Sequence, residues 1–219
     1  MLIVCLTHRG EIIMKNFKKI LVVMMISLMT ISMLVSCGTK ATPEESAKIF
    51  LDVLLKDDKT NMDKIGLKEE DYTKFKKEKE DELMKGFSSA GVDESILTDE
   101  IKTTLKDNIF KGLLSLKYEV TPVSTEKDTA KVNVKISVFD MDKIVKDGQA
   151  KIMEKVIANP SMTEKEIYKE SFKVIGDAIA AGTVKTEPKT VEITLTKQSN
   201  VWLPNDDDIE KIMSSIMGE

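Results

Sequence analysis

The chain has 219 residues, of which 32% are charged and 42% hydrophobic, with a formal net charge of −4. That length suits one ordinary domain plus an appendage, and the hydrophobic content excludes a wholly disordered chain. The single His (His8), the single Arg (Arg9) and both Cys (Cys5 and Cys37) all fall within the first 37 residues. Everything beyond Cys37 therefore excludes Ser-His-Asp and Cys-His catalysis, thiolate or imidazole metal sites, and Arg forks for phosphate.

From Met14 the chain reads Met-Lys-Asn-Phe-Lys-Lys and then turns apolar from Ile20 to Val35, interrupted only by Ser27, Thr30 and Ser32. A basic start followed by such a run has the form of a secretory signal. It ends in Leu34-Val35-Ser36-Cys37-Gly38, which resembles the lipobox of bacterial lipoproteins. That resemblance implies a diacylglyceryl group on the Cys37 thiol. Leu34, Val35 and Ser36 would be read by a peptidase that cuts before Cys37. One diacylglyceryl group carries two acyl chains, enough for stable anchoring. Two other readings remain open at this point. An apolar run of about 16–17 residues nearly spans a bilayer as an uncleaved anchor; it could equally be a core helix that happens to end in Cys.

Residues 1–13 have no place in such a signal. Arg9-Gly10-Glu11 lies just ahead of Met14 and is encoded by something like a purine-rich, ribosome-recruiting run, so the expected start of translation is Met14. A genuinely extended basic region is the alternative. Removing residues 1–36 leaves 29 Lys against 36 Asp and Glu. A net negative chain without Arg is a poor partner for nucleic acid. It is no better matched to an anionic membrane surface, so the lipid on Cys37 is the expected link to the bilayer.

Residues 37–42 read as an acylated tether and 43–219 as a single α+β extracytoplasmic domain. Thr42 is the expected N-cap of a first helix, with Pro43 at its first position and Glu45 closing a capping box. Ala47, Phe50, Leu51, Leu54 and Leu55 form its expected buried stripe. Met62, Ile65 and Leu67 mark a short linker. Glu69 to about Ser88 is a charged helix, and Lys76 to Glu82 is expected to be a solvated face of i,i+4 pairs. After Gly91, Thr98 or Asp99 opens a helix with Ile101, Leu105, Ile109 and Leu113 on one side.

Alternation then predicts strands over 116–123 and 129–139, the second with Val132, Val134, Ile136 and Val138 on one face. Ser124 to Asp128 is the expected turn, and one wet face marks an antiparallel sheet. Asp140 caps a helix running to about Ala158, and Thr163 with Glu166 forms a second capping box for a helix stopped by Gly182. Val191, Ile193 and Leu195 give another strand. A turn at Gln198-Ser199-Asn200 leads into Val201-Trp202-Leu203, and a helix follows Pro204. The expected fold is α+β: a small antiparallel sheet of three to four strands packed by N-terminal helices, a helical hairpin inserted between strands, and a C-terminal helix.

Little in the domain points to chemistry. Asn205-Asp206-Asp207-Asp208 lacks the ligand spacing of a calcium loop, and Asp residues at a helix start need only offset its dipole. Asp140, Asp142 and Asp147 fail the same test, and capping is the expected job of Asp140. Trp202 reads as core, and Met153 and Met213 as core filling. The expectation is no catalytic residue, no metal and no cofactor.

The lipobox, the capped segment Thr42-Pro43-Glu44-Glu45-Ser46-Ala47-Lys48-Ile49-Phe50, and Val201-Trp202-Leu203 leading to a short helix ending at Gly218 together resemble a family of Gram-positive surface lipoproteins. These carry domain of unknown function 5105, and the likeness covers roughly residues 42–219. It implies an extracytoplasmic lipoprotein on the outer face of the cytoplasmic membrane with no catalytic residues to carry over. A cystatin-like cone is the nearest fold analogy, from which the helical insertion 140–181 departs. The expected function is a non-catalytic interaction or ligand-binding module held near the bilayer, with a membrane or cell-wall partner. The alternatives are a solute-binding lipoprotein of a transporter or a carboxylate-dependent cell-envelope hydrolase, whose two carboxyls would stand roughly 5–9.5 Å apart.

Overall fold

The computed structural model describes residues 41–74, 76–77 and 96–218. Its first helix, α1 (Pro43–Lys56), opens with the expected capping box. The Thr42 hydroxyl accepts from the Glu45 N–H at 3.2 Å, and the Glu45 carboxylate accepts from the Thr42 N–H at 2.9 Å. Its buried surface is broader than a single stripe: Ile49 and Val53 are buried beside Ala47, Phe50, Leu51 and Leu55, while Leu54 is only half-buried. The reason is placement. α1 touches three strands as well as two helical elements, so neighbours cover most of its circumference.

A 3₁₀ turn (Met62–Ile65) ends at Gly66, whose φ of 76° needs a residue without Cβ. Ile65 at its end is fully buried. Residues 69–74 are helical and bury Tyr72, and α2 (Asp99–Ser115) buries Ile101, Leu105, Ile109 and Leu113 as expected. Its N-cap is Thr98, whose hydroxyl accepts from the Ile101 N–H. The remainder of the expected charged helix, Glu78 to Ser88, lies outside the described residues.

The sheet runs β1 (Tyr118–Thr125), β2 (Thr129–Ile136), β3 (Lys189–Gln198) and β4 (Val201–Pro204) in that spatial order, antiparallel throughout. Register explains the alternation. Ala130, Val132 and Val134 sit opposite Leu195, Ile193 and Val191, so strands β2 and β3 present one continuous apolar face to the helices. Each Val, Ile or Leu side chain among them contributes about 1.5–3 kcal/mol of burial. On the other face, exposed Lys131 pairs with Glu192 at 2.8 Å. The tight β3–β4 loop places Ser199 and Asn200 at φ 49° and 70°, the left-handed pair that a two-residue hairpin of this twist requires. Edge strand β1 carries Pro122 and a register irregularity between Pro122 and Ser124, and both discourage pairing with another chain.

Three strand boundaries differ from expectation: both ends of β1, which runs 118–125 rather than 116–123, and the end of β2. Leu116 caps α2 rather than opening β1. β2 leaves its ladder at Ile136, not Phe139. Val138 is still buried, but Phe139 bridges Val184 and its N–H donates to the Ile216 carbonyl. The chain is there diverted towards the segment leaving the helical hairpin, whose two ends are clasped by Asp140 N–H to Thr183 O and Lys185 N–H to Val138 O.

That hairpin is α3 (Met141–Ala158) and α4 (Glu164–Ala180), inserted between β2 and β3. Asp140 caps α3 through the Lys143 N–H, and Gly182 follows α4 at φ 70°. α4 packs along α2 in the same direction, since Glu100 meets Lys169, Asn108 meets Asp177 and Gly112 meets Ile179. Only Met141, Ile144 and Gly148 of α3 are buried. Helix α5 (Asp206–Ile216) closes the fold on β3, burying Ile209, Ile212, Met213 and Ile216.

Thr163 and Glu166 form the second capping box, with Glu166 accepting from the Thr163 N–H at 2.7 Å and from its hydroxyl at 2.8 Å. The backbone bond first, then the hydroxyl, holds the Glu166 carboxyl below its ordinary range. A depressed carboxylate contributes stability above its unfolded value of 4.5, lost as pH falls through the folded value. The Glu166 carboxyl should titrate below free Glu by NMR. Thr163→Ala keeps the backbone bond and removes only the hydroxyl, so it should move the midpoint part of the way towards 4.5, and losing the cap should cost about 1 kcal/mol. An unmoved midpoint in that variant would refute the hydroxyl's share of the shift.

Candidate functional site

Leu34, Val35, Ser36 and Cys37 lie outside the described residues, as does the apolar run before them. What the structure does place is the start of the domain. Ala41, four residues after Cys37, is already buried, and the Thr42 cap follows at once. Among the described residues, no helix is long and apolar enough to cross a membrane.

A polar constellation joins α1 to the α2–β1 junction. Asp52 and Lys56 lie one turn apart on α1. The Tyr118 hydroxyl donates to Asp52 Oδ1, and the Lys48 ammonium donates to Asp52 Oδ2 at 2.6 Å. The Lys56 ammonium donates to the carbonyls of Leu114 and Leu116 where α2 ends. It therefore satisfies acceptors that the end of a helix leaves open. Burial, reinforced by Asp52, pushes the Tyr118 phenol well above its usual range. Burial also lowers Lys56, against the opposing pull of Asp52.

An acid, a phenol and an amine in one place invite an enzymatic reading. The bonding points to another role: the phenol proton is held by Asp52 and the Lys56 donors by backbone carbonyls. These bonds fasten α1 to β1 and α2. The other nucleophile candidate, Ser46, is buried on α1. Its hydroxyl has no hydrogen-bond partner among the described residues.

The remaining sequence candidates also acquire positions. Among the described residues, no group of three or more His, Cys, Asp or Glu is gathered to hold a metal ion. Asp206, Asp207 and Asp208 occupy the first turn of α5, yet Asp208 does more than offset the dipole. It is buried, its Oδ2 accepts from the Thr194 N–H of β3 at 2.8 Å, and its Oδ1 accepts from Lys211 at 2.5 Å. Lys143 draws Asp147 into an i,i+4 pair and lowers its pKa. Trp202 is buried, with the Lys197 ammonium 5.5 Å from its ring centre. Met213 fills core, as do Met141 and Met217; Met153 is only half-buried, because its part of α3 extends past the core. The i+4 neighbour of Lys76, Glu80, lies outside the described residues. Lys76 reaches Asp57 at the end of α1 at 3.0 Å and lies over the Tyr72 and Phe110 rings.

Asp52–Tyr118 and Asp208–Thr194 had no signal in the sequence. Their partners stand 66 and 14 positions apart, with no local spacing to mark them.

These features define an α+β domain with a four-stranded antiparallel sheet and an inserted helical hairpin. The chain belongs to the family described as domain of unknown function DUF5105, whose model matches residues 35–217. Among solved structures it is similar to the Bacillus subtilis protein described as a "putative lipoprotein (ycdA)", with a TM-score of 0.64 and 19% identity. The likeness covers 78% of this chain and 53% of that one, so the chain spans about half the length of the structure it matches. None of the curated proteins compared with the chain matches it.

Proposed function

We propose that this protein is a lipoprotein anchored to the outer face of a Gram-positive cytoplasmic membrane through a diacylglyceryl group on Cys37. The domain acts there as a non-catalytic interaction or ligand-binding module. The observation that carries the anchor is Leu34-Val35-Ser36-Cys37 at the end of the apolar run that follows Lys15, Lys18 and Lys19. The description of the Bacillus subtilis structure as a lipoprotein supports it.

The test is metabolic labelling with a clickable palmitate analogue, with membrane fractionation. The parent should take up label and pellet with membranes. Cys37→Ser should lose the label entirely and remain unprocessed before residue 37. Equal labelling of both forms would overturn the anchor.

The non-catalytic reading is supported by the constellations described above, whose proton donors are bonded within the fold. It is also supported by the carboxylates whose pKa values move: Asp58, Asp147, Glu166 and Asp177 all move downward, away from general-acid duty. Height matters for such a module. At about 3.3–3.6 Å per residue, the steps from Cys37 to Ala41 reach no more than roughly 14 Å. The domain would thus stand almost on the bilayer, and its partner would be a membrane protein or an inner wall component.

In-cell crosslinking should capture that partner with the parent and lose it with Cys37→Ser. A 30-residue Gly/Ser linker after Cys37, spanning about 30 Å, should weaken capture several-fold while leaving palmitate labelling intact. Undiminished capture by the linker form would argue against a fixed height.

A further inference from the structure

We draw no further inference here: the strongest candidate, the projecting end of the α3–α4 hairpin, where Ile157 is 68% exposed on the same stretch as half-buried Met153 and Met162, is an apolar patch with nothing in the structure to show what covers it.

Discussion

Gly112→Ala should lower the thermal midpoint by about 4–8 °C, because α2 and α4 touch backbone to side chain at that position. A Cβ on Gly112 would stand 2.6 Å from Ile179 Cγ2 and 2.7 Å from the Ile179 carbonyl oxygen. The carbonyl belongs to a helix and cannot rotate away, so the two helices must separate. Overpacking of this kind costs about 1–3 kcal/mol or somewhat more, and the gain in helix propensity returns about 1. With two contacts below 3 Å the cost falls at the top of that range, and a net loss of about 2 kcal/mol corresponds to the stated shift for a domain of this size.

Two other helical glycines provide internal controls. At Gly176 the obstacle is the Asn108 amide at 2.9 Å, a side chain that can swing aside at the expense of its bond to Asp177. Gly176→Ala should therefore stay within about 1 kcal/mol of the parent. At Gly148 the nearest atom is Val174 Cγ1 at 3.6 Å, an ordinary contact. Gly148→Ala should gain up to about 1 kcal/mol from propensity alone. Urea unfolding of the three variants beside the parent checks the order. A Gly112→Ala form as stable as Gly148→Ala would show that α2 and α4 are not in close parallel contact.

The contrast among these glycines shows what a sequence can and cannot disclose. Residues 112, 148 and 176 look alike in the sequence, since each interrupts an amphipathic helix. Their different tolerance arises from a neighbour about 65 residues away or, for Gly148, from the adjoining helix. Features built from local chemistry were legible. Thr42 with Glu45 and Thr163 with Glu166 each satisfy backbone donors within one turn, so their spacing alone specifies them. The alternation in β2 and β3 was legible because a sheet with one wet face imposes period two.

The end of β2 was not legible, because Val138 keeps the alternation after the chain has already turned to meet Thr183 and Lys185. Nor was the full burial of α1, since which helix receives neighbours on several sides depends on the whole fold. The candidate site divides the same way. Leu34 to Cys37, the proposed lipidation signal, is a run of adjacent residues, and so it is visible in the sequence. The fastening of Asp52 by Tyr118 exists only after folding. It leaves no trace in the sequence beyond a Tyr at the inward-facing start of a strand.

Asp208→Ala should cost about 2 kcal/mol, which no reading of the acidic run 206–208 as a dipole partner would anticipate. The last rung of the β3–β4 ladder joins Leu195 to Pro204, and the Asn205 N–H then donates to the Thr194 carbonyl at 3.2 Å. The Thr194 N–H lies past the end of β4 and is met by the Asp208 carboxylate instead. A helix side chain thereby completes a sheet edge. Deleting it leaves that N–H without an acceptor, a loss of about 1–3 kcal/mol.

Asp208→Asn keeps an amide oxygen for Thr194 and should lose less than about 1 kcal/mol. Lys211→Ala removes only an ion pair whose lysine end is 60% exposed, and should leave stability close to that of the parent. The matching site-specific reading is hydrogen exchange at the Thr194 amide. It should accelerate in Asp208→Ala beyond the change in global stability and remain slow in Lys211→Ala. If Lys211→Ala instead proved as damaging as Asp208→Ala, the ion pair and not the strand bond would be what Asp208 supplies.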